Sequence, residues 1–177
     1  LMLLVAAHLH GAATNADFQV YGLHSPFLAF GVEKWIPEAQ PGLVDLKIDI
    51  NTGHVVVSFM GAPLAFKKVQ CAVWQAGYLA GDEVTITTQG IVSSDAKTII
   101  LTTLNGTGAW PLGSVQDVSK LAPEMQQIMK NLIATQKPAE LTALFAYDAK
   151  RDTYRIKRII NLNFYNPPVC CPCSKGP

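Results

Sequence analysis

From Val44 to Ile50 apolar and charged residues alternate: Val44, Leu46, Ile48 and Ile50 against Asp45, Lys47 and Asp49. Period-two alternation predicts a half-buried strand. Asn51-Thr52-Gly53 then reads as a hairpin turn, and the valine-rich stretch His54 to Met60 as the returning strand. Leu64 to Trp74 reads as the next strand, with Phe66, Val69, Cys71 and Val73 apolar and a bulge near Lys67-Lys68. Glu83 to Gln89 and Lys97 to Leu104 repeat the β-rich character around the turn residues Ser93-Ser94-Asp95. Glu140 to Tyr147 and Thr153 to Phe164 form a last hairpin across a polar connection.

Two stretches read as irregular. Residues 17–42 are punctuated by Pro26, Pro37 and Pro41-Gly42, and Gly108 to Gly113 contains Trp110 and Pro111. One stretch has the helical period. Leu121, Met125, Ile128, Met129, Leu132 and Ile133 make a single stripe, Pro123 suits a first turn, and Lys137-Pro138 sets the end. The pattern predicts an α+β fold. It is mainly antiparallel β, with about seven or eight hairpin-linked strands in a curved sheet or partly open barrel and one amphipathic helix near 119–135.

Both ends depart from this pattern. Leu1 to Leu9 is a short apolar run followed by small and polar residues to Ala16, the order of a secretory leader with cleavage after Ala16. The expected organisation is therefore a leader at 1–16, one globular domain at 17–166 and a Pro/Cys-rich tail at 167–177. The run is about half the length that spans a bilayer. Three of the four cysteines, Cys170, Cys171 and Cys173, crowd the tail; the fourth is Cys71. An even count behind a leader favours disulfides in a secreted protein, and four cysteines allow three pairings. Joining Cys71 to the tail closes a loop of roughly 100 residues, worth about 4–5 kcal/mol in the entropic account. The remaining pair is free to bond locally or to a second copy of the chain. A buried Cys71 thiol with a disordered tail is the alternative. Asn105-Gly106-Thr107 is an N-glycosylation acceptor triplet.

Composition narrows the function classes. Of 177 residues 49% are hydrophobic and only 15% charged, which excludes a disordered chain. The net charge of +1 gives no global attraction to nucleic acid or to an anionic membrane. No phosphate-binding loop, dinucleotide fingerprint, zinc-protease or calcium-loop motif occurs, and no cofactor is implied. Asp82 and Glu83 are neighbours that point to opposite strand faces, a poor acid–base couple. The basic cluster Lys150, Arg151, Arg155, Lys157 and Arg158 reads as a solvated strand edge.

What is left is a secreted, non-enzymatic interaction or structural protein acting through protein–protein contacts. The aromatics of 18–35, Tyr21, Phe27, Phe30 and Trp35, are its candidate contact residues, because so apolar a loop either packs down or meets a partner. The alternative is a carrier that holds an apolar small molecule or lipid between a curved sheet and the helix. Its candidate pocket residues are Phe59, Phe66, Trp74, Trp110, Met125, Met129, Phe145 and Ile156.

Overall fold

The computed structural model describes residues 12–95 and 97–165. The elements in chain order are β1 (Thr14–Tyr21), α1 (Pro26–Ala39), β2 (Leu43–Asp49), β3 (His54–Phe59), α2 (Phe66–Gln75), β4 (Leu79–Ser94), β5 (Thr98–Thr103), β6 (Ala109–Ser114), α3 (Val115–Val118), α4 (Pro123–Thr135), β7 (Pro138–Asp148) and β8 (Thr153–Phe164). The eight strands form one open, antiparallel sheet, so the fold is α+β with mainly β content. The four helices correct the expectation of one.

Each correction has a local cause. Thr14, Ala16, Phe18 and Val20 are buried in alternation, which is β1. Ala29, Val32 and Ile36 are buried at helical spacing, which is α1. Pro26 occupies its first position, where the missing N–H costs nothing, and Pro37 falls only in its last turn. Phe66, Val69, Ala72 and Val73 are the buried face of α2. The three-residue gap between Phe66 and Val69 is a helical turn and not a strand bulge. Trp110 and Leu112 are buried in β6, where an irregular stretch was expected. In β2 the register shifts between Leu43 and Asp45, which leaves Val44 outside. The predicted stripe does form a helix, α4, beginning at Pro123 and closing before Gln136, whose φ is 52°.

Residues β1 to β4 run strand–helix–strand–strand–helix–strand in the order β2-β3-β1-β4, a split βαβ arrangement. β4 then extends beyond β1. One of its edges pairs with β1 over Leu79–Thr87 and with β5 over Gly90–Ser94, while β7 pairs along the other from Glu83 to Ile91. At the handover a Cβ on residue 90 would lie 2.4 Å from both a Leu101 methyl carbon and the Thr102 carbonyl oxygen, so the close approach needs glycine.

One sheet face is apolar and covered by helices. A chain of aromatic contacts runs across it: Phe18–Phe66, Phe66–Tyr147, Tyr147–Tyr154, Tyr154–Trp110 and Trp110–Phe145, with ring centroids 5.0–5.2 Å apart. The opposite face is polar and paired across strands. Ser58 donates to Asn15 at 2.6 Å, His54 meets Asp17 at 2.8 Å, and Lys157 pairs with Glu83. In β8 the residues that pack inward are Tyr154, Ile156, Ile159 and Leu162. Two bulges, at Lys157 and Ile160, account for that spacing and keep Arg158 from the core, where strict alternation would put it.

The start of β1 is fixed by a buried polar cluster. The Thr14 hydroxyl lies 2.7 Å from that of Thr88 and 2.8 Å from that of Thr107, and accepts from Asn105 Nδ2 at 3.0 Å. One proton and two acceptor sites are all used. Thr14→Val keeps the shape and strands these partners. It is expected to lower the unfolding free energy by about 1–3 kcal/mol, read by urea denaturation. Residues 14–16, placed in the expected leader, thus belong to β1; residues 1–11 lie outside the described residues, as does the tail with Cys170, Cys171 and Cys173.

α3 is a reciprocally capped turn. Ser114 Oγ accepts from Asp117 N at 3.1 Å, and the Asp117 carboxylate accepts from Ser114 N at 3.1 Å and Ser114 Oγ at 2.7 Å. The Ser114 bonds, with Lys120 next, lower the Asp117 pKa from 3.8 to about 2. A lowered folded value stabilises in full above 3.8, and that stabilisation is lost as the pH falls through about 2. An NMR titration of the Asp117 carboxyl is expected to show a midpoint near 2, moving upward in Ser114→Ala.

Candidate protein-contact surface

α1 and α2 lie together on the apolar face and touch where Gly31 meets Ala76. A Cβ on Gly31 would be 3.1 Å from that of Ala76, so the contact depends on a small residue on α1 and another at the C-terminal cap of α2. Phe27 and Phe30, one helical turn apart on α1, lie beside this crossing but are not consumed by it. They are 88% and 68% exposed. On α2, two residues before Ala76, Trp74 is 70% exposed. At the adjoining strand ends Tyr21 pairs with Leu79, and both are largely exposed. Tyr78 packs against Gly22 beneath them. Five large apolar side chains thus stand in water at one end of the α1/α2 layer, although the two helices bury Val32, Ile36, Phe66 and Val73. Both helices could turn apolar side chains inward, and they did; the outward aromatics are surplus to the core.

Two hollows meet at Cys71 on α2, and one of them reaches Trp74. One, of about 480 Å³, lies between the helices and is lined by Trp35, Glu38, Lys67, Lys68 and Cys71. The other, of about 320 Å³, is lined by Gln70, Cys71, Trp74, Tyr78 and Leu79. Cys71 is exposed and borders both; it has no disulfide partner among the described residues, and the alternative of a buried thiol does not hold. Trp35 is half-buried, with the Lys34 ammonium 4.7 Å from its ring centre.

Of the four expected contact residues, Tyr21, Phe27 and Phe30 come to the exposed end, and Trp35 turns into the groove. Phe27, Phe30 and Trp35 are carried there by α1 and Tyr21 by the end of β1, not by the loop the sequence suggested. Trp74, expected in a ligand pocket, joins them. The other pocket residues separate. Phe59, Phe66, Met129 and Phe145 are fully buried, Trp110 nearly so, and Met125 is half-buried against the core. Ile156 lines a separate groove beside β8. Asn105, the glycosylation candidate, donates its amide to Ala12 O at 2.7 Å and to Thr14, and accepts from the Thr107 hydroxyl at 2.7 Å. The triplet therefore serves as a turn lock in this fold.

Among the described residues no three His, Cys, Asp or Glu side chains gather as a metal site, and no helix is long and apolar enough to cross a membrane. No family model and no curated protein matches the chain. Among solved structures it is similar to the N-terminal domain of PacS from Synechocystis PCC6803, with 24% sequence identity over 37% of this chain and 91% of that one and a TM-score of 0.32.

Proposed function

We infer that the chain is a non-enzymatic protein-interaction module, secreted, whose contact surface is the exposed end of the α1/α2 layer. The observation that carries the reading is the solvent exposure of Phe27, Phe30 and Trp74 around the Gly31–Ala76 crossing. Aromatic side chains are the usual energetic centres of protein interfaces, since each brings a large area with few rotamers to freeze. The strands behind them hold the helices against a close-packed core, so the surface is presented without refolding. Secretion is supported by the leader-like apolar run of residues 1–9 and by the cysteine tail.

The carrier reading is less well supported at its original place. A ligand between sheet and helix would have to displace Phe66, Met129 and Phe145, which are packed in the core. The test is the combined variant Phe27→Ser, Phe30→Ser, Trp74→Ser. It is expected to fold as the parent does and to lose its protein partner; retained binding would defeat the reading.

A further inference from the structure

β6 and β8 are both edge strands, and they face one another without hydrogen bonding. They meet at one end, where the Trp110 and Tyr154 rings pack at 5.0 Å, and again where Gly113 approaches Ile156. Between them and α3 lies a groove of about 560 Å³. Its apolar lining comes from Leu112, Val118, Leu121, Ile156 and Ile159, all buried or half-buried. Its exposed outer rim is cationic: Lys120, Arg155, Lys157 and Arg158, against the single carboxylate of Asp117, with Arg155 and Arg158 opposite Ala146 and Leu144 on the polar side of β8 and the apolar lining on its inner side. Four of the chain's 14 basic residues and one of its 13 acidic ones are here, a local excess of three in a chain of net charge +1.

The pairing of these charges is uneven. Lys120 is met by Asp117 at 3.2 Å and Lys157 by Glu83. The Arg155 and Arg158 side chains have no ion pair or hydrogen bond among the described residues. A free guanidinium fork matches a carboxylate or phosphate oxygen pair. Edge protection alone asks for charges in water; it does not ask for an apolar trough between them. Strand addition is disfavoured here, because β8 is bulged at Lys157 and Ile160 and β6 carries Pro111.

We propose that this groove binds an anionic amphiphile, its hydrocarbon tail on Leu112, Val118, Leu121, Ile156 and Ile159 and its single acidic head group on Arg155 and Arg158. The volume is in the range of small-molecule sites. The site shares no residue with the α1/α2 surface and stands whether or not that reading holds.

The full chain would be titrated with decanoate, decyl phosphate, decanol, acetate and inorganic phosphate, all below micelle-forming concentrations, following methyl NMR signals of Val118, Leu121 and Ile156. Decanoate or decyl phosphate is expected to bind one to one and shift these signals. Acetate and inorganic phosphate at the same concentrations are expected to leave them in place. Whichever decyl anion binds more tightly identifies the head group as carboxylate or phosphate. Arg155→Gln with Arg158→Gln, both at exposed positions, is expected to weaken that binding at least about tenfold with the core methyl spectrum unchanged. Decanol binding as tightly as the anions, inorganic phosphate alone reproducing the shifts, or undiminished binding by the double variant would each overturn the proposal.

Discussion

Phe66→Ala is expected to cost about 3–5 kcal/mol of stability, the usual range for deleting a fully buried phenyl ring. Phe66 is fully buried in the first turn of α2 and meets Phe18 and Tyr147 edge-on, at 5.1 and 5.2 Å. It therefore links β1, α2 and β7, and the ring chain continues through Tyr147, Tyr154 and Trp110 to Phe145. Tyr154 also donates to Leu64 O at 3.2 Å, tying β8 to the segment that leads into α2. Total stabilities of about 5–15 kcal/mol in such domains make the Phe66→Ala cost a third or more of the margin at the middle of that range, and nearly all of it at the lower end. Phe66→Leu fills most of the space and is expected to cost under about 2 kcal/mol. Urea denaturation followed by far-ultraviolet circular dichroism measures both. A cost below about 1 kcal/mol for Phe66→Ala would contradict a core organised around this ring.

The second large effect is on binding and leaves stability alone. Phe27→Ser, Phe30→Ser and Trp74→Ser together are expected to weaken partner binding by at least about a hundredfold, since central interface aromatics each contribute roughly 2 kcal/mol or more. The same side chains are 88%, 68% and 70% exposed in the free protein, so their removal exposes no core. The melting temperature is expected to stay within a few degrees of the parent's, and solubility to rise. Phe66 and Phe27 are thus opposite cases in one helical layer. The first holds the layer to the sheet, and the second is free to meet something else.

The reading of the sequence succeeded where one face of an element is wet. The β2–β3 and β7–β8 hairpins and α4 have a polar side and an apolar side, so their periods show plainly. It failed at α1 and α2, for different reasons. In α1 three prolines in and around the segment masked a stripe at Ala29, Val32 and Ile36, although Pro26 and Pro37 fall where a helix tolerates them. In α2 Phe66, Val69 and Val73 carry the helical period, but the β-branched valines and the preceding strands favoured a bulged strand. Missing both helices hid the split βαβ arrangement. The contact aromatics were legible by type, because so many in one segment call for an explanation; their common location with Trp74 was not. That depends on the Gly31–Ala76 approach, a tertiary contact with no local signature. The groove beside β8 was invisible for a related reason. Two bulges decide which side of the strand each arginine takes, and only the paired strand reveals them.

The most direct test of the contact surface is site-specific photo-cross-linking in the source organism, followed by calorimetry on whatever is captured. The photoreactive residue would replace Phe30 and, as a control, Thr142 on the polar sheet face. The account predicts that one protein is captured from position 30 and not from position 142. Once purified, that protein should bind the parent chain and lose binding to the triple serine variant. Capture from both positions alike, or calorimetric binding that the serine substitutions leave intact, would contradict it.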